Sequence, residues 1–161
     1  MRRKEREVRD PAAVLGIVDS CEVLRLGLYD ESDPSFPYVV PVNFAYEVRD
    51  GALRFYFHGA AAGRKFDLMT KRGVCSFEME SASRIAVEEE KQNITTYYAS
   101  VMGKGKLRRL TAEAETLAAL QVLVDRFPVS RGLDWAKDCL PRTAVWELAV
   151  TELTAKQNSG R

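Results

Sequence analysis

The sequence predicts a mainly β protein, an antiparallel barrel or strongly curled sheet with helices packed outside it. About six segments have strand character, and most follow one another through hairpins or short excursions. The three or four helical segments do not alternate regularly with strands, as a doubly wound sheet would require. The chain has 161 residues, 46% of them hydrophobic, and a chain of this length buries about two thirds of its unfolded surface in one core. A single domain over 1–161 is expected.

Asp10-Pro11 reads as a helix entry, with Asp as N-cap, Pro in the first turn, and Val14, Leu15 and Val18 on one face of a helix over 11–20. Leu24, Leu26 and Leu28 then alternate with Val23, Arg25 and Gly27, the two-residue period of a half-buried strand. After the polar loop DESDPSFP, residues 38–48 read as one long strand, turned by Arg49-Asp50-Gly51 into Leu53, Phe55 and Phe57, so 38–58 is expected to be a hairpin. Alanine content and apolar spacing predict a helix of about ten residues from Arg64, stopped by Gly73. Residues 74–80 form the next strand and SASRIAVEEEKQN an excursion from it. Residues 94–107 form a long strand that Gly103 and Gly105 bend or bulge. Thr111 is expected to cap a helix whose face carries Leu117, Leu120, Val124 and Phe127, and residues 143–151 form the closing strand.

Composition removes several function classes. A net charge of +1 supplies no general field for nucleic acid or an anionic membrane. No apolar run approaches the roughly 18 residues of a membrane-spanning helix, and the charged start is not followed by a leader-like core, so a cytoplasmic location is expected. Cys21, Cys75 and Cys139 are widely spaced, which suggests buried thiols rather than a disulfide framework or zinc site. With one histidine, His-rich metal sites and most hydrolase triads lack their parts, and no metal site is expected.

Three segments carry candidate chemistry. His58-Gly59-Ala60-Ala61-Ala62-Gly63-Arg64-Lys65 joins a strand end to a helix start. Two cations at a helix N-terminus cost roughly 0.3 to 1 kcal/mol each unless an anion is present, so the turn reads either as a phosphate cradle or as two solvated basic side chains. Pro41 removes a ladder donor from Tyr38-Val39-Val40-Pro41-Val42-Asn43, which marks an edge strand or leaves backbone groups to meet a planar heterocycle, with Asn43 adding an amide. In the later strand Thr96, Tyr98, Ser100 and Met102 share one face, and Tyr97, Ala99 and Val101 the other. His58 is either structural or a donor of a proton or hydrogen bond. Lys104, Lys106, Arg108 and Arg109 read as a solvated basic strand face.

The ordered set YVVPVNFAYE, LRFYFHGAAAGRKFDLM and TTYYASVMGKGKL resembles the flavin-binding split-barrel family related to pyridoxamine 5′-phosphate oxidase, and most of all its nitroimidazole-resistance branch. The resemblance implies a homodimer of six-stranded antiparallel split barrels with FMN, or FAD or a deazaflavin in its place, at the subunit interface. It places Val40, Pro41, Val42 and Asn43 beside the isoalloxazine ring, Phe57, His58 and Gly59 near the ribityl chain and ring, and Arg64 and Lys65 on the phosphate. Tyr98, Ser100 and Val101 match the strand brought against the cofactor, and His58 is the catalytic candidate. The implied activity is FMN-dependent reduction of a nitroimidazole or other small planar acceptor. Non-catalytic flavin or haem binding for storage, sensing or delivery is the alternative. No basic carboxy-terminal motif like that of true pyridoxamine phosphate oxidases is evident, so oxidation of vitamin B6 is not expected.

Overall fold

The computed structural model describes residues 3–81, 83–89, 92–127 and 143–159, and Cys139 lies outside them. Asp10 caps the first helix, α1 (Pro11–Asp19), by accepting a 2.9 Å hydrogen bond from the Ala13 amide, and Pro11 occupies the first turn. Ile17 and Val18 of this helix insert into the main core. Leu68 and Met69 of α2 (Arg64–Arg72) enter the same core, and Gly73 ends that helix in the left-handed conformation expected of it.

The remaining elements form one curled antiparallel sheet with a ribbon on its edge. Its strands are β1 (Glu7–Val8), β2 (Val23–Leu28), β3 (Tyr38–Asn43), β4 (Ala45–Arg49), β5 (Ala52–Ala60), β6 (Val74–Glu80), β7 (Arg84–Glu88), β8 (Asn93–Leu110) and β9 (Thr143–Asn158). The hydrogen-bonded order is β3-β2-β6-β8-β9-β5-β4, with β1 on β9 and β7 on β8. β3 and β5 approach each other but exchange no ladder bonds, which leaves an open seam between them. The expected six-stranded barrel is thus β3-β2-β6-β8-β9-β5, extended by β1, β4 and β7. Phe44, Phe55, Phe77 and the leucines of β2 fill it, with edge-to-face ring contacts of 5.4 Å from Phe44 to Phe55 and from Phe55 to Phe77.

Four expectations require correction. The segment 38–48 is two strands, because the chain turns at Phe44, and only β4 pairs with β5; β3 pairs with β2 at the sheet edge. Hydrophobic pattern identifies strands but not their partners, and Phe44 turns inward with Arg126 4.6 Å over its ring. The excursion after β6 contains β7, whose residues Ile85 and Val87 pair with Thr96 and Ile94 of β8. The helix α3 (Glu113–Arg126) is entered from Ala112 without a side-chain cap, so Thr111 is not its cap. Its buried face is Thr116, Ala119, Leu120 and Leu123, rotated from the expected set, while Phe127 packs at its end. That face covers Ala45, Tyr56, Leu110 and Val145, forming a second core on the outside of the sheet.

The glycine bulge of the long strand is borne out, with the β8–β9 register shifting between Lys104 and Gly105. A Cβ on Gly103 would fall on the Glu152 carbonyl and the Phe77 ring, and one on Gly105 on the Ala149 carbonyl. Gly103→Ala is therefore expected to cost about 1–3 kcal/mol by overpacking. Gly16→Ala, in a helix with nothing near its Cβ, is expected to stabilise by about 0.4–1 kcal/mol. Urea-unfolding midpoints of the two variants test the contrast.

Candidate functional site

The seam between β3 and β5 opens beside the start of α2. Phe57 of β5 is buried opposite Trp146, and the next residue, His58, pairs in register with Val145 and turns to the surface. Gly63 then precedes α2 with φ +102°, a conformation suited to glycine. Unlike α1, this helix has no side-chain cap; its first backbone bond runs from the Asp67 amide to the Gly63 carbonyl. The amides of the first turn thus point out of the helix beside Arg64 and Lys65.

Lys65 folds back over β5. Its Nζ lies 3.0 Å from where a Cβ of Gly59 would stand, so the absence of a side chain there makes room for the ammonium. Desolvation by the surrounding protein lowers the pKa of His58 from its ordinary value, and the Lys65 charge lowers it further. Lys65 and an imidazole that resists protonation therefore lie within electrostatic reach of each other at this end of β5.

Arg64 is fixed from the other side. Its Nε and Nη2 donate to Oδ2 of Asp30 at 2.9 and 2.8 Å, and its guanidinium lies 4.7 Å over the Tyr38 ring. Asp30 is only 5% exposed, and its Oδ1 accepts from the Ser32 hydroxyl at 2.6 Å and the Ser32 amide at 2.9 Å. These Ser32 bonds, and then Arg64, hold its pKa down at about 2. Sequence reading passed over Asp30, Ser32 and Tyr38 as loop and strand residues. The Asp-x-Ser spacing of an Asx turn was the available signal, but nothing local pointed to Arg64.

The other candidate residues fall into separate groups. Val40 is half-buried on β3, Val42 is buried, and Pro41 and Asn43 are exposed on the same strand. The edge position of β3 accounts for Pro41 in a strand. Tyr98 and Ser100 lie on the outer face of β8, where Ser100, Met102, Thr154 and Lys156 line a shallow depression. Val101 points the opposite way and is fully buried, so its side chain is not brought to that face.

A second polar cluster, which sequence reading missed, sits under α3. The nearly buried Glu147 accepts from Arg54 at 3.0 Å and pairs with Arg108 at 3.4 Å, and the Tyr56 hydroxyl bonds to Glu47 beside it. Burial and then the Glu47 bond raise the Tyr56 pKa. Burial alone pushes the Cys75 thiol up to about 12, which disfavours its thiolate form. Among the described residues no group of His, Cys, Asp or Glu is placed to hold a metal ion. No helix among them is long and apolar enough to cross a membrane.

Curled sheet, open seam and uncapped cationic turn define a split-barrel protein with a candidate anion cradle on its rim. The sequence profile of the family described as pyridoxamine 5′-phosphate oxidase matches residues 10–157, and the chain belongs to that family. No curated protein matches it. Among solved structures it is similar to a candidate 5-nitroimidazole antibiotic resistance protein from Bacteroides thetaiotaomicron, at 20% identity over 93% of this chain and 85% of that one, with a TM-score of 0.79. It is similar to the flavocytochrome Anf3 from Azotobacter vinelandii, at 23% identity over 99% of this chain and 72% of that one, with a TM-score of 0.79. The FAD and haem binding protein from Mycobacterium smegmatis also has a TM-score of 0.79, at 16% identity over 96% of this chain and 74% of that one.

With one imidazole in the chain, an NMR titration reads His58 without ambiguity. Its midpoint is expected below the ordinary value of about 6.5. Lys65→Met is expected to move the midpoint upward without restoring it fully, because desolvation is the larger cause. An unchanged midpoint would separate Lys65 from the imidazole. The Asp30 carboxylate is expected to stay ionised at pH 4 and to protonate only as the pH falls to about 2, read from its carboxyl carbon shift.

Proposed function

We propose that the protein is an FMN-dependent oxidoreductase that reduces a small planar acceptor, with nitroaromatics as the first class to test. The observation that carries this reading is that Arg64 and Lys65 flank the open first-turn amides of α2, with Lys65 reaching over Gly59 and acting on His58. Such a rim fits a phosphomonoester: the amides and the helix dipole favour an anion, Lys65 adds a cation at the same helix start, and Arg64, already paired with Asp30, adds its remaining guanidinium edge. FAD would present to the same rim a bridging pyrophosphate with one negative charge on each phosphoryl group in place of the terminal dianion.

When bound, the flavin supplies the electron-transfer chemistry, and the protein's part is placement and tuning. Arg64 and Lys65 hold the phosphate. Gly59 allows Lys65 and the ribityl chain to come close to β5, and the β3 segment Val40 to Asn43 offers a strand edge to the ring. Phe57 backs the strand from inside the core. His58 donates a proton or hydrogen bond to the acceptor at its Nδ1 or Nε2.

The reading includes a homodimer. Ile94, Tyr98, Ser100 and Met102 of β8 share the outer face with Ile85 and Val87 of β7, and the apolar members are strongly exposed. A second copy seated on this stripe would bury it and carry Tyr98 and Ser100 to the partner's flavin, with Val101 behind them as core support. A haem-binding function is the second reading, favoured by the two haem-containing structures of similar fold; His58 is then the available imidazole ligand.

The absorbance spectrum of the purified protein, with mass identification of the released chromophore, tests the choice. A flavin spectrum with FMN released supports the enzyme reading; a Soret band moves it to haem, and a colourless protein that fails to take up FMN ends the flavin reading. Replacing Arg64 and Lys65 together by Ala is expected to weaken FMN at least tenfold more than riboflavin. His58→Ala is expected to retain FMN and to lower turnover by about 10²-fold; if His58 gives up a proton, wild-type activity is expected to fall as the pH rises through the lowered His58 pKa and that fall to be absent from the variant. Ile94→Glu is expected to give a monomer by light scattering.

A further inference from the structure

Asp30 carries a charge with almost no exposure, and both of its oxygens are engaged. Oδ1 is held by the amide and hydroxyl of Ser32, so the carboxylate cannot swing. Oδ2 receives Nε and Nη2 of Arg64 from one edge of the guanidinium, and the Tyr38 ring lies under its plane. An arginine held along one edge and across one face has a single edge left, the one carrying Nη1. The same loop reaches the other end of α2, where Glu31 pairs with Arg72 at 2.6 Å and Arg72 lies 4.7 Å over Tyr29. The loop therefore tracks the helix along its length.

We propose that Asp30 is the positioning residue of the anion cradle, holding Arg64 so that its Nη1 edge meets the ligand phosphate. The proposal rests on the flavin-phosphate reading above. A long, flexible arginine loses rotamer freedom when it binds an anion; one already held by Asp30, Ser32 and Tyr38 has lost it on folding. The alternative physical outcome has the opposite sign. If Asp30 were instead a rival anion for Arg64, its removal would release the guanidinium and tighten phosphate binding.

The test is titration of the flavin-stripped full-length protein with FMN and with riboflavin, followed by fluorescence quenching. Asp30→Asn keeps the shape and removes the charge. It is expected to weaken FMN about tenfold while leaving riboflavin unchanged, and to add nothing in an Arg64→Ala background. FMN affinity that stays the same or rises overturns the proposal, as does an equal loss for both ligands, which marks a general structural role. Ser32→Ala provides a second variant that retains the ion pair; a smaller loss in the same direction supports positioning, and no loss of FMN selectivity counts against it. A wild-type protein with no preference for FMN over riboflavin removes the phosphate reading and this proposal together. A preference abolished by Arg64→Ala but untouched by Asp30→Asn removes this proposal alone.

Discussion

The long antiparallel ladder between β8 and β9 is the constraint on which the other parts depend. It runs from Tyr98 opposite Asn158 to Leu110 opposite Val145, and β6, β7, β1 and β5 all attach to one of its two strands. A ladder of this length would splay a flat sheet; here Gly103 and Gly105 permit the two strands to close against each other and shift register at Lys104. The bulge increases local twist, and twist lets the sheet curl until β3 faces β5 across the seam. The rim that bears His58 is a consequence of that curl.

Both faces of β9 are covered, and this explains its unbroken run of buried residues from Ala144 to Leu148. Trp146 and Leu148 enter the main core, while Val145 lies with the second core under α3. Glu147 shares the α3 side and is compensated by Arg54 and Arg108, a geometry in which removing one partner strands a nearly buried charge. Arg126 ties the same helix to α1 by donating to the carbonyls of Val18 and Cys21 at 3.0 and 2.7 Å. These contacts hold α3 on the outer side of the sheet, and the candidate site is built on β5 and α2, whose side chains Phe57, Leu68 and Met69 are locked in the main core.

The rim shows how a local signal and a distant one combine. Arg64 and Lys65 at a glycine-led helix start were legible because charge order against a helix dipole is a property of neighbours in sequence. Asp30 was not, since it stands 34 residues away and meets Arg64 only after β2, β3 and α2 have taken their places. Likewise the alternation that set Tyr98 and Ser100 apart from Val101 was readable, and burial agrees with it, but the identity of the surface that Tyr98 faces was not.

The sequence by itself determined the mainly β class, the capped start of α1, the glycine stop of α2, the bulge of β8 and the family, because each depends on residues close in the chain or on motifs in fixed order. Tertiary structure alone decided that the strand from Tyr38 divides at Phe44, that its first half pairs with β2, that β7 joins β8, and which face of α3 is buried. It also decided that Asp30 and Tyr38 surround Arg64. The physical reason is common to all of them: strand partners and ion-pair partners are chosen by which surfaces meet when the sheet closes, and periodicity within one segment carries no information about the surface opposite.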